Sequence, residues 1–212
     1  MTAIARAVLV LALLVSFQLP ATARRNPFES IRPFQVMMDD GKLHPVCTAF
    51  PVRLNDRTVW LTAYHCVAEP PAWVMNPDAE WYIDGKKSVV IQYAFDTKNG
   101  MDFAILTSGA SAQPLSLGYS TPPAGSFIQT AGYPHGSARQ HVVSGVVSLT
   151  LEEDGATIWS LPGAPGMSGG PILDKDGLVV GTMTQIECPF STWCPVSRGT
   201  RVETLREFLY GE

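Results

Sequence analysis

The sequence predicts an all-β fold, and three observations carry that prediction. Gly at 18 and Pro at 17 make up about a sixth of the 212 residues, more turn-forming residues than a helical bundle tolerates. Short apolar runs rich in β-branched and aromatic residues recur at close spacing. Between them stand Asp40-Gly41, Asp84-Gly85, Asn99-Gly100, Asp154-Gly155 and Asp176-Gly177, pairs that favour tight hairpins over long crossovers. Hydrophobic residues at 46% against charged residues at 16% supply a core and exclude a disordered tail or a coiled coil. The length permits one or two domains. A net charge of -4 without a long basic block argues against nucleic acid as a partner.

Taken in order, residues 1–23 read as a signal peptide. Arg6 precedes an apolar run of about eleven residues, and Ala21 and Ala23 fit the small-residue positions of a signal peptidase site. The run falls short of the roughly twenty residues that span a bilayer, so membrane attachment is expected only if the segment stays uncleaved. Strand-like runs follow at 34–38, 46–54, 58–63, 89–95 and 103–107, within a first unit spanning 30–110. The stretch Ser108 to Gly125 is rich in Ser, Pro, Ala and Gly, and 111–125 reads as a linker. A second unit, 126–200, carries strand-like runs at 127–131, 141–151, 157–161 and 178–184. Such close spacing argues for barrels or a sandwich rather than alternating helix and strand. At 201–210 the period changes: Val202, Leu205, Phe208 and Leu209 recur at helical spacing behind a Thr200-x-x-Glu203 capping box, predicting a terminal helix.

Export makes the four cysteines an even set in an oxidising compartment. Three pairings are possible; clustering along the chain favours Cys47 with Cys66 and Cys188 with Cys194. Closing a loop the size of the first contributes about 3 kcal/mol on a chain-entropy argument. Zinc is the competing reading of His65 beside Cys66, but there is no C-x2-C pair.

The strongest chemical signal is Gly166-Met167-Ser168-Gly169-Gly170-Pro171, followed by the strand-like Ile172 and Leu173. An attacking serine needs backbone N–H groups aimed at the oxygen that becomes negative, and glycines let the chain curl tightly enough to present them. The expected donors are the N–H groups of Gly166 and Ser168. A serine hydroxyl is a weak nucleophile and needs a base and an orienting group. His65 ends a strand and precedes Cys66, whose disulfide would pin the backbone beside the ring, whereas His44, His135 and His141 read as turn or strand residues. Asp102 opens the apolar strand Phe103-Ala104-Ile105-Leu106, where a carboxylate is costly unless paired; Asp96 is its rival. The order His, Asp, Ser excludes α/β-hydrolases despite the G-x-S-x-G match, because their histidine comes last. A subtilisin-like order through Asp39 or Asp40 needs a parallel sheet with crossover helices, which this pattern lacks.

These residues resemble the trypsin-like serine peptidases of the chymotrypsin fold. Thr62-Ala63-Tyr64-His65-Cys66 is similar to the family's T-A-x-H-C block, Asp102-Phe103-Ala104-Ile105-Leu106 to its D-x-A-x-L block, and Gly166 to Pro171 to its G-x-S-G-G-P block. Ala131-Gly132-Tyr133-Pro134 is similar to the G-Y-P of bacterial and HtrA-like members. The resemblance implies two perpendicular six-stranded antiparallel β-barrels with a C-terminal helix. It implies peptide-bond hydrolysis by His65, Asp102 and Ser168 through an acyl-enzyme, with a polypeptide as substrate partner and no metal or cofactor. It also implies a Cys47–Cys66 disulfide beside the histidine.

Departures from the family pattern shape further expectations. Met167 stands where zymogen-activated members carry an aspartate, so activity without N-terminal cleavage is expected. By family spacing Pro162 takes the pocket-floor position, while Thr184, Gln185 and Ile186 line the substrate strand and pocket wall. An uncharged floor argues against strict Lys or Arg preference, and Ile186 in place of glycine favours small or medium apolar side chains. A catalytically silent scaffold that binds proteins is the alternative from a different functional class.

Overall fold

The computed structural model describes residues 26–68, 80–96, 100–150, 156–187 and 195–211. The expected signal segment, Cys188, Cys194 and the Asp154-Gly155 turn lie outside these residues. Six strands form the first barrel: β1 (Arg32–Met37), β2 (Leu43–Leu54), β3 (Arg57–Thr62), β4 (Trp81–Ile83), β5 (Lys86–Asp96) and β6 (Met101–Ser108). Their antiparallel order β1-β2-β3-β6-β5-β4 closes on itself where Phe34, Gln35 and Val36 pair with Ile83, Tyr82 and Trp81. At Asp84-Gly85 both residues take positive φ, 49° and 72°, the geometry a two-residue hairpin needs between β4 and β5.

The second sheet runs β11-β10-β7-β8-β9-β13-β12. Its strands are β7 (Phe127–Gly132), β8 (His141–Thr150), β9 (Ala156–Ser160), β10 (Pro171–Asp174), β11 (Val179–Thr182), β12 (Gln185–Glu187) and β13 (Val196–Thr200). The run expected as a strand over 178–184 is shorter, β11 ending at Thr182, and a separate strand, β12, starts at Gln185. Between them the Met183 N–H donates to the Gly170 carbonyl and the Thr184 N–H to the Arg198 carbonyl, both at 2.9 Å. Because β11 and β12 are successive parts of one path, seven segments amount to six strands. Gly181 bridging to Arg201 brings the two ends of the sheet together.

Burial follows from this arrangement. One core fills the first barrel around Phe34, Trp60, Ile83 and Leu106, and another fills the second around Ile128, Trp159, Leu161, Ile172 and Val180. A third lies between them, where Phe50, Leu61 and Ile105 meet Ala131, Leu173 and Val179. β2 serves two of these cores, which explains why seven consecutive residues, Val46 to Val52, are all buried rather than alternating. The expected linker crosses this seam: the Leu115 N–H donates to Pro51 at 2.8 Å and the Gly118 N–H to Val179 at 2.8 Å.

The terminal helix forms over Val202–Tyr210, but its cap differs from expectation. Arg201 is the capping position and makes no side-chain cap bond. The Thr200 hydroxyl donates instead to the Gly100 carbonyl at 2.7 Å, and Glu203 accepts from the Thr121 N–H and hydroxyl at 2.7 Å each. Both capping-box residues are thus committed to tertiary contacts. Among the described residues no helix is long and apolar enough to cross a membrane.

Candidate active site

β3 ends at Thr62, and a single helical turn, α1 (His65–Ala68), begins three residues later. Two restraints hold this turn. A disulfide joins Cys66 to Cys47 on β2, with Cα atoms 6.2 Å apart. Tyr64 stacks on Tyr93 at 4.6 Å and lies 5.1 Å from Phe95, both on the outer face of β5. The histidine backbone is therefore clamped from both sides. Cys47, Cys66 and His65 stand close enough to share a cation, but the two sulfurs are bonded to each other and present no thiolate pair.

Asp102 is the second residue of β6 and meets His65 through both carboxylate oxygens. The His65 N–H donates to Oδ1 at 3.0 Å, and His65 Nδ1 lies 2.6 Å from Oδ2. At 16% exposure against 34% for the imidazole, the carboxylate sits behind the ring, shielded from water by the group it holds. A Thr200 hydroxyl accepts the Asp102 backbone N–H at 3.3 Å, tying this corner to the second barrel. Asp96, the sequence rival, ends β5 and pairs with Met101.

Ser168 comes from the second barrel, on the turn that leads into β10. The turn is gripped by Thr48 of β2, wholly buried: its N–H donates to the Ser168 carbonyl at 2.9 Å and its hydroxyl to the Gly166 carbonyl at 2.8 Å. The same hydroxyl accepts the Tyr133 N–H at 3.1 Å, and the Thr48 carbonyl accepts from Thr62 at 2.7 Å. One threonine thereby locks the Gly-Tyr-Pro segment and the serine turn together. Neighbouring N–H groups are committed, Met167 to Ala164, Gly169 to Met183 and Gly170 to Met167, whereas those of Gly166 and Ser168 donate to no backbone carbonyl of the described residues. Met167 is fully buried in the second core beside Leu161, Ala164 and Met183.

His65, Asp102 and Ser168 open together on a cavity of about 560 Å³ between the barrels. Among the described residues the Ser168 hydroxyl has no hydrogen bond to the imidazole; such contacts often tighten only with substrate bound. Thr184 and Gln185, which the family resemblance assigns to the substrate strand and pocket wall, line this cavity. Pro162 does not: it is exposed, because the chain leaving β9 turns its neighbours Leu161 and Gly163 inward. Ile186 is the central residue of β12, paired with Ser197, and its side chain lies outside what the structure describes.

Three residues of the site escaped sequence reasoning. Thr48 adjoins Cys47, but nothing in its spacing distinguishes it from other strand threonines. Thr200 reads in the sequence as part of a helix cap. Arg198 lies in the segment 195–200, which contains a glycine and no apolar alternation and so gives no strand signal.

A family model described as a trypsin-like peptidase domain matches residues 47–181. No curated protein matches the chain. Among solved structures, the Rv3671c protease from M. tuberculosis in its active form superposes with a TM-score of 0.61 at 17% identity, covering 93% of this chain and 86% of that one. Its inactive form gives 0.61 at 16%, covering 87% and 90%. The HtrA-type protease AlgW with a decapeptide gives 0.63 at 18%, covering 89% of this chain and 65% of that one. At such identities these likenesses concern the fold.

Proposed function

The chain belongs to the trypsin-like peptidase family, and from that premise we propose that it is an exported serine endopeptidase whose nucleophile is Ser168. The observation that carries the reading is the doubly bonded Asp102–His65 pair opening on the same cavity as Ser168. With Nδ1 held by the carboxylate, Nε2 is the nitrogen that takes the serine proton as Oγ attacks the substrate carbonyl. The N–H groups of Gly166 and Ser168 stabilise the resulting oxyanion. The imidazolium then gives its proton to the leaving amine, and water, activated by the same nitrogen, releases the acyl group and restores the serine.

A fluorophosphonate probe tests this assignment. The wild-type protein should take up one equivalent of label and Ser168→Ala none, since stoichiometric phosphonylation needs an activated hydroxyl. Equal labelling of the two would remove Ser168 from the mechanism, and no labelling of the wild type would favour the silent-scaffold alternative.

Activity without N-terminal processing rests on Met167. Packed among Leu161, Ala164 and Met183, it sets the serine turn by apolar contact and needs no ion pair with a newly formed terminus. A protein bearing a short N-terminal extension after the signal segment should therefore turn over peptides at the unextended rate. Inactivity relieved by trimming would overturn this. Export is supported by the character of residues 1–23 and by the Cys47–Cys66 disulfide, which persists in oxidising compartments.

A further inference from the structure

His135 follows the Gly-Tyr-Pro segment and is no member of the triad. Its backbone has φ of 51° and ψ of 34°, the left-handed region that few side chains enter, and Gly136 follows at φ of 71°. Two successive residues of positive φ make a reversed turn, closed where the Ser137 N–H donates to the Pro134 carbonyl at 2.9 Å. That carbonyl points into its own turn, so the trans peptide between Pro134 and His135 sends the His135 N–H outward. There it donates to the Pro165 carbonyl at 2.7 Å.

Pro165 immediately precedes Gly166, and it lines both the cavity that holds Ser168 and a second cavity, of about 700 Å³, that His135 lines. The peptide between Pro165 and Gly166 therefore stands at the wall between the two. Its carbonyl faces His135, and its N–H, trans to that carbonyl, faces away from His135. The Gly166 carbonyl is held in turn by the Thr48 hydroxyl at 2.8 Å. Each peptide flanking Gly166 is thus fixed by one hydrogen bond, the first from the second barrel and the other from the first. If the Pro165–Gly166 peptide rotated by half a turn, the N–H groups of Gly166 and His135 would face each other as two donors, and the His135 bond would be lost. In the observed orientation the bonds from Ser137 to Pro134 and from His135 to Pro165 align successive peptides, each polarising the next, and the series ends at the Gly166 N–H.

We infer that His135 is a positioning residue for the oxyanion: its left-handed backbone holds the Pro165 carbonyl and so aims the Gly166 N–H at the developing charge. The inference rests on the peptidase reading above. Because the role belongs to backbone conformation, a residue that tolerates positive φ can replace the imidazole, and a β-branched residue cannot.

The test compares wild type with His135→Gly, His135→Asn, His135→Ala and His135→Val, active sites being counted by fluorophosphonate titration taken to completion. Gly and Asn enter the left-handed region readily and Val hardly at all. His135→Gly and His135→Asn should keep kcat close to wild type. His135→Val should lower it by roughly ten- to a hundredfold, with His135→Ala between. KM should move little, and affinity for a peptide boronic acid should weaken in step with kcat. Asn55→Val controls for strain alone, because Asn55 has the same φ of 51° but lies in the turn between β2 and β3. It should lower the melting temperature and leave kcat unchanged. If His135→Val does not fold, His135→Ala against His135→Gly decides, since both lack the imidazole and they differ by one methyl group. Equal loss in all four variants would assign the effect to the imidazole and overturn the proposal. Unchanged kcat and boronate affinity in folded His135→Val, or in His135→Ala where it stands in, would overturn it too, as would a loss in Asn55→Val equal to that in His135→Val. A wild type that takes no label would overturn the peptidase reading and this inference with it.

Discussion

Replacing Asp102 with asparagine is expected to lower kcat by about 10⁴ at neutral pH while leaving the fold in place. The reason lies in how the two oxygens are used. Oδ1 accepts the His65 backbone N–H and Oδ2 faces Nδ1. Asparagine keeps one acceptor and gains one donor of the same size. If its oxygen stays with the backbone N–H, the amide nitrogen meets Nδ1, and the ring must carry its proton on Nε2 instead. An imidazole protonated at Nε2 cannot take the serine proton. KM should move little, because the carboxylate acts through the histidine rather than on the substrate. The melting temperature should stay close to that of the wild type, since the exchange is isosteric and the bond from the Asp102 backbone N–H to Thr200 does not involve the side chain. Measuring kcat by active-site-normalised peptide turnover checks this. A loss below tenfold would mean that the pair does not orient the base.

Sequence reasoning reached the chemistry more easily than the walls around it. His65, Asp102 and Ser168 were legible because each sits in a short motif whose composition has a mechanical cause: glycines where the chain must curl, a carboxylate opening an apolar strand, a histidine beside a cysteine. The first barrel was legible because its strands are long and bounded by turn residues. β4 was missed because three residues give no period, and β13 because Ser197, Arg198 and Gly199 do not alternate by polarity although they alternate in space. Pro162 shows the limit of spacing: an offset of six residues from a motif fixes position along the chain but not which way that chain turns. Thr48 shows another limit, since its two bonds to the serine turn span a sequence separation of more than a hundred residues and leave no local trace.

Gly166→Ala should damage catalysis far more than its size suggests, lowering kcat by roughly 10²- to 10³-fold. Gly166 has φ of +95°, a conformation side chains rarely adopt. A Cβ there would run into the Tyr133 carbonyl and stand 3.2 Å from the His135 nitrogen, both backbone atoms that cannot rotate away. Its own carbonyl is meanwhile tied to Thr48. The turn must therefore shift, and the N–H proposed to meet the oxyanion moves with it. Strain at this position also costs about 1–3 kcal/mol of stability, so the catalytic loss must be separated from simple unfolding. Gly41→Ala provides the comparison. Gly41 also has positive φ, +74°, but a Cβ there meets nothing within 4 Å, so it tests strain without displacement of the site. It should lower the melting temperature and leave kcat alone. Binding of a peptide boronic acid, which mimics the tetrahedral adduct, should weaken in Gly166→Ala in step with kcat and be unchanged in Gly41→Ala. If Gly166→Ala instead kept both kcat and boronate affinity while losing only stability, the oxyanion would have to be held by donors other than this N–H. The glycine would then serve only the close approach of the serine turn to the Tyr133–His135 backbone.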